Sequence, residues 1–549
     1  MLQLGISAFY HDSACAIFQD GLLLGAIEEE RFTEIKHDPS FPYNSIEWCL
    51  EKANIKIEDI DQVCWYENPI DKEDRILKTF KKKWWKTFLL KRRYEKKSLE
   101  ESPFRLLKEM GFNGDITFIP HHLSHAAFSY FTSPYESAAI LTVDGVGEWE
   151  SVTISRAQGN QIDKLLSIDY PNSLGLFYSA MTAYLGFKPN EGEYKVMGLA
   201  PYGDPNRYYS LLYKIFQSKS NKLEIKQKYF NWGYDDKKMF TKHLFKLLGL
   251  PPRLPQDKLT QFHKDLAAAV QKTYEREFLK LVLVSKELVG INNLCLGGGC
   301  AYNGVANNKA YKFFPKIHIP FSPTDAGSAI GAVLAVNKEK IRIKPYLGYK
   351  STSKETENVL NDFKDLVSYK KYDYTSLVDI TAKSIKLGKI IAWHQQDMEF
   401  GARALGNRSI LANPQISNMR EKLNMIIKKR EGFRPFAPSV TLEKAKNYFD
   451  IKEPIPYMNQ VVKAKTNLFP AATHVDGTSR VQTVSIKDNM LYYNLLKAVG
   501  KYTGHEVVLN TSFNLKDQTI TMTPRQAVER FVYSDIDFLV IDNYFIRKK

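Results

Sequence analysis

One pattern constrains the fold of this chain more than any other. A strand, a polar loop, a strand, a tight turn and a returning strand occur in that order twice. Residues 2–8 are short and apolar, Tyr10-His11-Asp12-Ser13 is a polar loop, and 14–18 reads as the second strand. Gln19-Asp20-Gly21 turns the chain and 22–28 returns. The same grammar recurs as a strand at 138–143, a polar glycine loop at 144–148 and a strand at 151–155. Gly159-Asn160 then makes a turn and 162–168 returns. Two hairpins of one design point to an internal duplication. Helical spacing of apolar residues follows each, over 45–53 and over 259–289, most clearly at 264–287. A buried strand at 294–296 then runs into Gly297-Gly298-Gly299-Cys300-Ala301-Tyr302-Asn303. Strand, glycines and helix either bring backbone N–H groups against a phosphate or ribose, or simply make a tight turn.

At 549 residues the chain exceeds what one core supports, so two or more domains are expected. Segment 341–354 reads as a linker, which divides the chain into domains 1–350 and 351–549. A hydrophobic fraction of 44% is that of a globular protein. No apolar run reaches bilayer-spanning length. Residues 1–7 read as a strand, without a basic start or cleavage site, so a cytoplasmic location is expected. Cys15, Cys49, Cys64, Cys295 and Cys300 are scattered, which fits reduced, buried thiols and no structural zinc. The net charge of +16 is concentrated in Lys81-Lys82-Lys83-Trp84-Trp85-Lys86 and in the run 91–97. Such runs are solvated helical faces, or they meet nucleic acid, an acidic membrane surface or an anionic glycan. The tryptophans and Phe88-Leu89-Leu90 keep a peripheral membrane contact by 78–97 open.

The chemistry-bearing residues come in pieces. His121-His122-Leu123-Ser124-His125 opens a helix, and Val143-Asp144-Gly145-Val146-Gly147-Glu148 closes a strand soon after. Pro323-Thr324-Asp325-Ala326-Gly327-Ser328 follows much later. Histidines four apart (His121, His125) or three apart (His122, His125) share a helical face, and spacing does not choose between them. With aspartates they make a mixed nitrogen and oxygen site suited to iron, zinc or manganese. A zincin needs a glutamate between its histidines, and there is none here, which disfavours protease chemistry. In the second domain Arg403 and Arg408 lie among small residues, and Arg434 sits in the stiff turn 433–438. His474 and Arg480 flank a glycine turn, and Asn510-Thr511-Ser512-Phe513-Asn514 ends an apolar strand at 506–509. Guanidinium forks and hydroxyls are what phosphate and carboxylate recognition requires. One more segment stands out, from Asn172 through Gly175 to Gly186-Phe187 and on through 191–200. Lys195, between glycines, reads equally as a phosphate contact and as part of a domain hinge.

The paired hairpins are similar to those of the actin/sugar-kinase superfamily, which clamp phosphate between two lobes. Taken together, the motifs closely resemble the O-carbamoyltransferases of the NodU/CmcH family, which modify nodulation factors and antibiotics. The resemblance runs nearly end to end. It takes in Tyr10-His11-Asp12-Ser13-Ala14, Glu28-Glu29-Glu30-Arg31-Phe32, the 121–125 motif, Asp144-Gly145, the 191–200 motif and the triple glycine. It continues through Asp325-Ala326-Gly327-Ser328, the arginine motifs and 510–514. It implies an α/β protein with an N-terminal actin-like domain of duplicated lobes. That domain looks like the tRNA threonylcarbamoyl-transfer enzymes, with iron on His121, His125, Asp144 and Asp325. It also implies a C-terminal YrdC-like domain that turns carbamoyl phosphate and magnesium ATP into carbamoyl-adenylate, phosphate and pyrophosphate. In that scheme Arg403, Arg408, Arg434, His474, Arg480, Ser512 and Asn514 hold carbamoyl phosphate and ATP. Gly175, Gly297, Gly298, Gly299 and Asn303 seat the adenylate, and His11 and Lys195 are catalytic. The basic stretch at 78–97 is not explained by the family motifs.

The expected activity is therefore ATP-dependent carbamoyl transfer to a hydroxyl of a small molecule, sugar or glycan. Two other readings use the same residues: a tRNA-modifying carbamoyl transferase, and a non-enzymatic actin-like ATP switch. No RNA-binding module supports the first, and no nucleic-acid partner is expected. The second leaves the histidines and arginines unused. The acceptor, the identity of the metal and the oligomeric state are not written in one sequence, because loops shape acceptor pockets and His/Asp ligands serve several ions.

Overall fold

The computed structural model describes residues 1–81, 100–217, 223–233 and 238–549. The basic stretch singled out at 78–97 lies, from residue 82 on, outside them. The chain forms two compact units of mixed α/β structure. One is Met1–Phe32 with His37–Ile343, the other Thr33–Lys36 with Lys344–Lys549. Residues 344–350 pack with the second unit because their backbone is bonded there. Phe400 N donates to Pro345 O, and Gly348 N donates to Met398 O. No helix among the described residues is long and apolar enough to cross a membrane. All five cysteines are free thiols.

The first unit carries the duplication in its topology. Its first sheet is built from β1 (Leu2–Ser7), β2 (Ala14–Gln19), β3 (Leu22–Glu28), β4 (Gln62–Trp65) and β5 (Asp115–Phe118). The second uses β6 (Ser137–Val143), β7 (Glu150–Gln158), β8 (Gln161–Asp169), β9 (Asn293–Gly297) and β10 (Lys316–His318). Their orders, β3-β2-β1-β4-β5 and β8-β7-β6-β9-β10, are the same. In each, an antiparallel hairpin is extended by two parallel strands. The central strands β1, β2 and β6 are continuous buried runs, as strands covered on both faces must be. β8, at an edge, is largely exposed.

A helix follows the fifth strand of each repeat, α1 (His121–Phe131) after β5 and α3 (Asp325–Asn337) after β10. The longer α2 (Gln261–Val289) lies between them in sequence and packs on β6 and β7. Its ends follow capping rules: a Thr260–His263 capping box opens it and Gly290, at φ 72°, closes it. The helices are exchanged, since α1 packs on β6 and β9 while α3 packs on β1, β2 and β4. They also pack on one another. Residues Asp325 to Leu334 of α3 are all buried, which is why it is apolar all round. Gly331 permits the crossing, because a Cβ there would stand 2.0 Å from Ser124 O.

The second unit is a sheet covered on both faces. Its strands are β11 (Val367–Lys371), β12 (Ile391–His394), β13 (Arg408–Ala412), β14 (Ala437–Thr441), β17 (Gln482–Val484), β18 (Val507–Ser512), β19 (Phe538–Ile541) and β20 (Tyr544–Lys548). β15 (Val462–Lys463) and β16 (Thr478–Ser479) form a separate pair. The main sheet runs β11-β20-β19-β12-β13-β18-β14-β17. The two-residue period of a strand divides it into two cores. Ile391, Trp393 and Leu411 pack with α5 (Tyr374–Lys386) and α6 (Met490–Thr503). Ala392, Ile410 and Ala412 pack with α4 (Ser353–Asp362) and α7 (Pro524–Val532). Asn510 to Ser512 belong to β18 itself and do not follow it.

Candidate functional site

Four residues expected to bind a metal converge in the first unit. His121 lies at the start of α1 and His125 one turn on; Asp325 opens α3; Asp144 follows β6. Their ligand atoms all lie within 4.8 Å of one another, and all four side chains are buried. The two Nε2 atoms are 3.1 Å apart. Asp144 Oδ2 is 3.1 Å from that of His121 and 2.9 Å from that of His125. Asp325 Oδ1 stands 3.4 Å from His125 Nε2 and 3.8 Å from His121 Nε2. Ligands about 2.1 Å from one ion lie roughly 3.0–3.5 Å from each other, so all of these separations but the 3.8 Å between His121 and Asp325 are close to those of a shared coordination sphere. Both oxygens of Asp325 are buried and take no hydrogen bond among the described residues. A bare carboxylate at 1% exposure is costly unless a cation meets it. The donor set therefore fits a divalent transition metal.

The structure also chooses between the histidines. His122 turns away and its Nδ1 meets Thr153 Oγ1 at 3.3 Å, so the four-residue pair converges and the three-residue pair does not. His125 Nδ1 is 3.0 Å from Ser328 Oγ, which leaves Nε2 for the cluster. Asp144 divides its oxygens in the same way, with Oδ1 accepting from Gly145 N at 2.7 Å and Gly299 N at 3.3 Å. Burial works against its ionisation, but hydrogen bonds from His121 and His125 hold its pKa well below the usual value.

Glu148 was in a quoted motif without a role, and it fastens the site. Its carboxylate accepts from His121 N at 2.9 Å and from Asn68 N at 2.7 Å. It thereby caps a helix whose own N-cap residue, Pro120, offers no side-chain bond. His11 sits in the β1–β2 loop, the counterpart of the β6–β7 loop that holds Asp144. Its Nδ1 is 3.1 Å from Asp12 Oδ2 and 3.9 Å from Asp325 Oδ2. Burial opposes its charge, yet Asp325 and Asp12 outweigh that and push its pKa up to about 10. Each repeat thus supplies a hairpin loop and the helix after its fifth strand.

The glycines border this cluster. Gly298 has φ +83°, and a Cβ there would lie 2.3 Å from Val143 O; at Gly175 it would lie 2.6 Å from Asp144 O. Gly297 and Gly299 similarly face His125 O and Asp144 Oδ1. Close backbone packing accounts for Gly175 and Gly298, while Gly299 lies against the Asp144 carboxylate and Gly297 against the helix that carries His125. Asn303 caps a short helix through Ala306 N and exchanges two hydrogen bonds with Gln271. Lys195 lies in the helix Glu193–Leu199 with Nζ 5.6 Å from the centre of the Phe187 ring.

In the second unit the expected anion ligands divide. Arg408 is the correction: it is buried and its five N–H groups go to the carbonyls of Met522, Gln395, Asn407, Tyr349 and Gln396. No donor is left for a phosphate, so this arginine stitches loops to β13. Burial lowers its pKa to about 10. Arg403 lies in the loop before it, whose backbone is gathered by Glu399 Oε1, accepting from Leu405 N, Asn407 N and Arg408 N. Arg480 follows β16 and is half-buried.

Ser512 and Asn514 meet at a lysine that sequence reasoning missed, with Arg434 near it. Lys428 Nζ is buried and donates to Ser512 O and to the O and Oδ1 of Asn514. Burial, then Arg430, Arg434, Lys36 and Arg530, press its pKa well below the usual lysine value. Ser512 Oγ donates to Asn514 Oδ1 at 2.6 Å. His474 Nε2 reaches Phe433 O at 3.3 Å, beside Arg434. A buried amine with the charges of four cationic side chains acting on it is a place that suits an anionic ligand. The run Lys428-Lys429-Arg430, just before the quoted 433–438 turn, was the signal available in the sequence.

Comparison with known proteins gives the family. The carbamoyltransferase N-terminus family matches residues 2–334 and the carbamoyltransferase C-terminus family matches residues 382–548. An uncharacterized protein of Synechocystis is 38% identical, over 99% of this chain and 96% of its own. The nodulation protein NolNO of Sinorhizobium fredii is 34% identical, over 99% of this chain and 80% of its own. Among solved structures, HypF of T. kodakarensis is 13% identical over 61% of this chain and 47% of that one, with a TM-score of 0.31. The chain belongs to the carbamoyltransferase family. It is an O-carbamoyltransferase, of the kind its motifs indicate.

Proposed function

We propose that the chain carries out ATP-dependent carbamoyl transfer in two stages, one in each domain. Residues 351–549, read as a YrdC-like domain, would convert carbamoyl phosphate, ATP and water into carbamoyl-adenylate, phosphate and pyrophosphate. Arg434, His474, Ser512 and Asn514, with Lys428 and Arg430 beside them, hold the phosphates; Arg403 and Arg480 are the further cations of this reading. Residues 1–350, read as actin-like from the repeated strand order, would receive the adenylate and pass its carbamoyl group to a hydroxyl of a small molecule or sugar. The adenylate seat is proposed at Gly175, Gly297–299 and Asn303; Gly175 and Gly299 lie against Asp144, and Gly297 against His125. Lys195 is proposed to meet its phosphate.

The single observation that carries the reading is the buried His121, His125, Asp144 and Asp325 cluster with a bare carboxylate, in a chain of this family. A metal there, proposed as iron(II), would polarise the carbamoyl oxygen as a Lewis acid. His11, at the rim of the cluster, would lose its proton once a metal ion offsets the charge of Asp325 and Asp144, and is then proposed to take the acceptor's hydroxyl proton as the oxygen bonds to the carbamoyl carbon and AMP leaves. Burial of the cluster keeps water from a labile intermediate. The proposed compartment is cytoplasmic, supported by the five free thiols.

Pyrophosphate release from ATP by the purified protein, with and without carbamoyl phosphate and without acceptor, tests the proposal. Release that depends on carbamoyl phosphate is expected. Absence of release from protein shown to bind both ATP and metal would overturn the adenylate route.

A further inference from the structure

Beyond the cluster, a line of alternating charges runs through the first unit to the loop that holds His11. Arg31 is buried and pairs with Glu28 and Glu30. Glu30 Oε2 accepts from the backbone N of His37 at 2.7 Å. The His37 Nδ1 lies 2.5 Å from Asp12 Oδ1, and the other oxygen of Asp12 is 3.1 Å from His11 Nδ1. Both carboxylate oxygens of Asp12 are therefore spent on imidazoles. Asp12 and His37 also hold left-handed backbone, at φ 54° and 55°. Two non-glycine residues in that region, facing each other, cost on the order of 1 kcal/mol or more each and persist only where surroundings hold them.

From this geometry we infer that Asp12 and His37 are positioning residues for His11: Asp12 fixes the ring and tautomer of His11 by engaging Nδ1, and His37 fixes Asp12. The logic is that of a carboxylate orienting a histidine base, with the free ring nitrogen kept for substrate. Asp12, Glu30 and His37 also lie close enough to share a metal ion, but their polar atoms already bond one another or a backbone N–H. The inference rests on the role proposed for His11, and its test does not depend on carbamoyl transfer.

Histidine ring ¹⁵N and ¹H spectra of zinc-loaded full-length protein would be compared with those of Asp12→Asn and His37→Gln, with a His11→Gln variant to assign the signals. Asparagine tolerates the left-handed backbone, so Asp12→Asn retains the loop. Metal content and melting temperature are measured alongside. The His11 Nδ1–H signal of the parent is expected to be lost in Asp12→Asn and shifted in His37→Gln, with the metal content unchanged. Unmoved His11 signals in both variants would overturn the inference. So would loss of one metal equivalent in Asp12→Asn, which would make the trio a metal site. Failure of pyrophosphate release would strike the two-stage reaction and leave these spectra as they are.

Discussion

The Nε2 atoms of His121 and His125 face each other at 3.1 Å, one helical turn apart, with Asp144 Oδ2 within 3.1 Å of both. Two imidazoles in one turn cannot bring both nitrogens to one carboxylate oxygen at random. The arrangement leaves a centre suited to a cation. Substituting His125→Ala or Asp325→Asn removes one of four donors, and bound metal measured by elemental analysis is expected to fall at least about tenfold. Undiminished metal in both variants would place the ion elsewhere.

Ser328 is the partner that lets His125 present Nε2, through the 3.0 Å contact at Nδ1. Ser328→Ala leaves the ligand but frees its ring. Metal affinity, read by competition with a chelator, is expected to drop about 10- to 100-fold. The melting temperature should change little, since one hydrogen bond contributes about 1 kcal/mol.

The crossing of α1 and α3 sets the distance between His125 and Asp325. At Gly331 a methyl group would stand 2.0 Å from Ser124 O, a backbone atom that cannot turn aside. Gly331→Ala is expected to destabilise the protein by about 1–3 kcal/mol and to weaken metal binding as well, because the helices must part. Denaturant unfolding with and without chelator checks both effects. An unchanged metal affinity would show that the cluster does not depend on this packing.

Arg408 and Arg434 look alike in sequence and should behave oppositely. Arg408→Ala takes a donor from five carbonyls, of which Asn407, Tyr349 and Met522 keep another, and empties the space of a buried guanidinium; a loss of about 3 kcal/mol in unfolding free energy is expected. Arg434 is partly exposed and its ion pair with Glu431 is 3.6 Å long, so Arg434→Ala should fold normally. Carbamoyl-phosphate-dependent pyrophosphate release should be abolished in it while metal content stays the same. Normal release in Arg434→Ala would remove that residue from the pocket.

What the sequence made legible follows its periodicities. The repeated hairpins were visible because apolar runs and polar turns alternate within about thirty residues, and the turn at Asp20-Gly21 has little choice of geometry. Residues 22–28 read as a strand, and β3 is Leu22–Glu28. The four clustered metal-ligand candidates were visible because unusual residue types recur at helical spacing or beside glycine. The roles of Ser328, Glu148 and His37 were not, since each acts through a contact made only when distant segments meet. Ser328 and His125 are 203 positions apart. Arg408 misled for the complementary reason: a guanidinium reads as an anion ligand until one sees that backbone carbonyls surround it. Spacing alone left His121 and His122 open; the family resemblance implied His121, and strand β7, whose Thr153 claims His122, supplies the physical reason.

Buried neutral histidines give the protein an acid limit separate from its chemistry. His318 is covered by its surroundings and has Lys340 nearby; burial, then that lysine, pushes its pKa down to about 3 from an ordinary 6.5. His394 shifts the same way, by burial and then by Arg408, with Nε2 bonded to Met522 O. A base whose pKa is depressed in the folded state binds fewer protons there than in the unfolded chain. Its neutral burial costs nothing above pH 6.5, and stability falls as pH drops from 6.5 towards 3, with a slope of up to about 1.4 kcal/mol per pH unit for each such group. His318→Gln removes one titrating site while keeping a polar group for Thr132 Oγ1, 3.3 Å away in the parent. Urea unfolding at pH 6.5, 5.5 and 4.5 should show a shallower decline for the variant than for the parent. Parallel curves would mean that His318 is protonated in the folded protein and that its burial is less complete than its surroundings indicate.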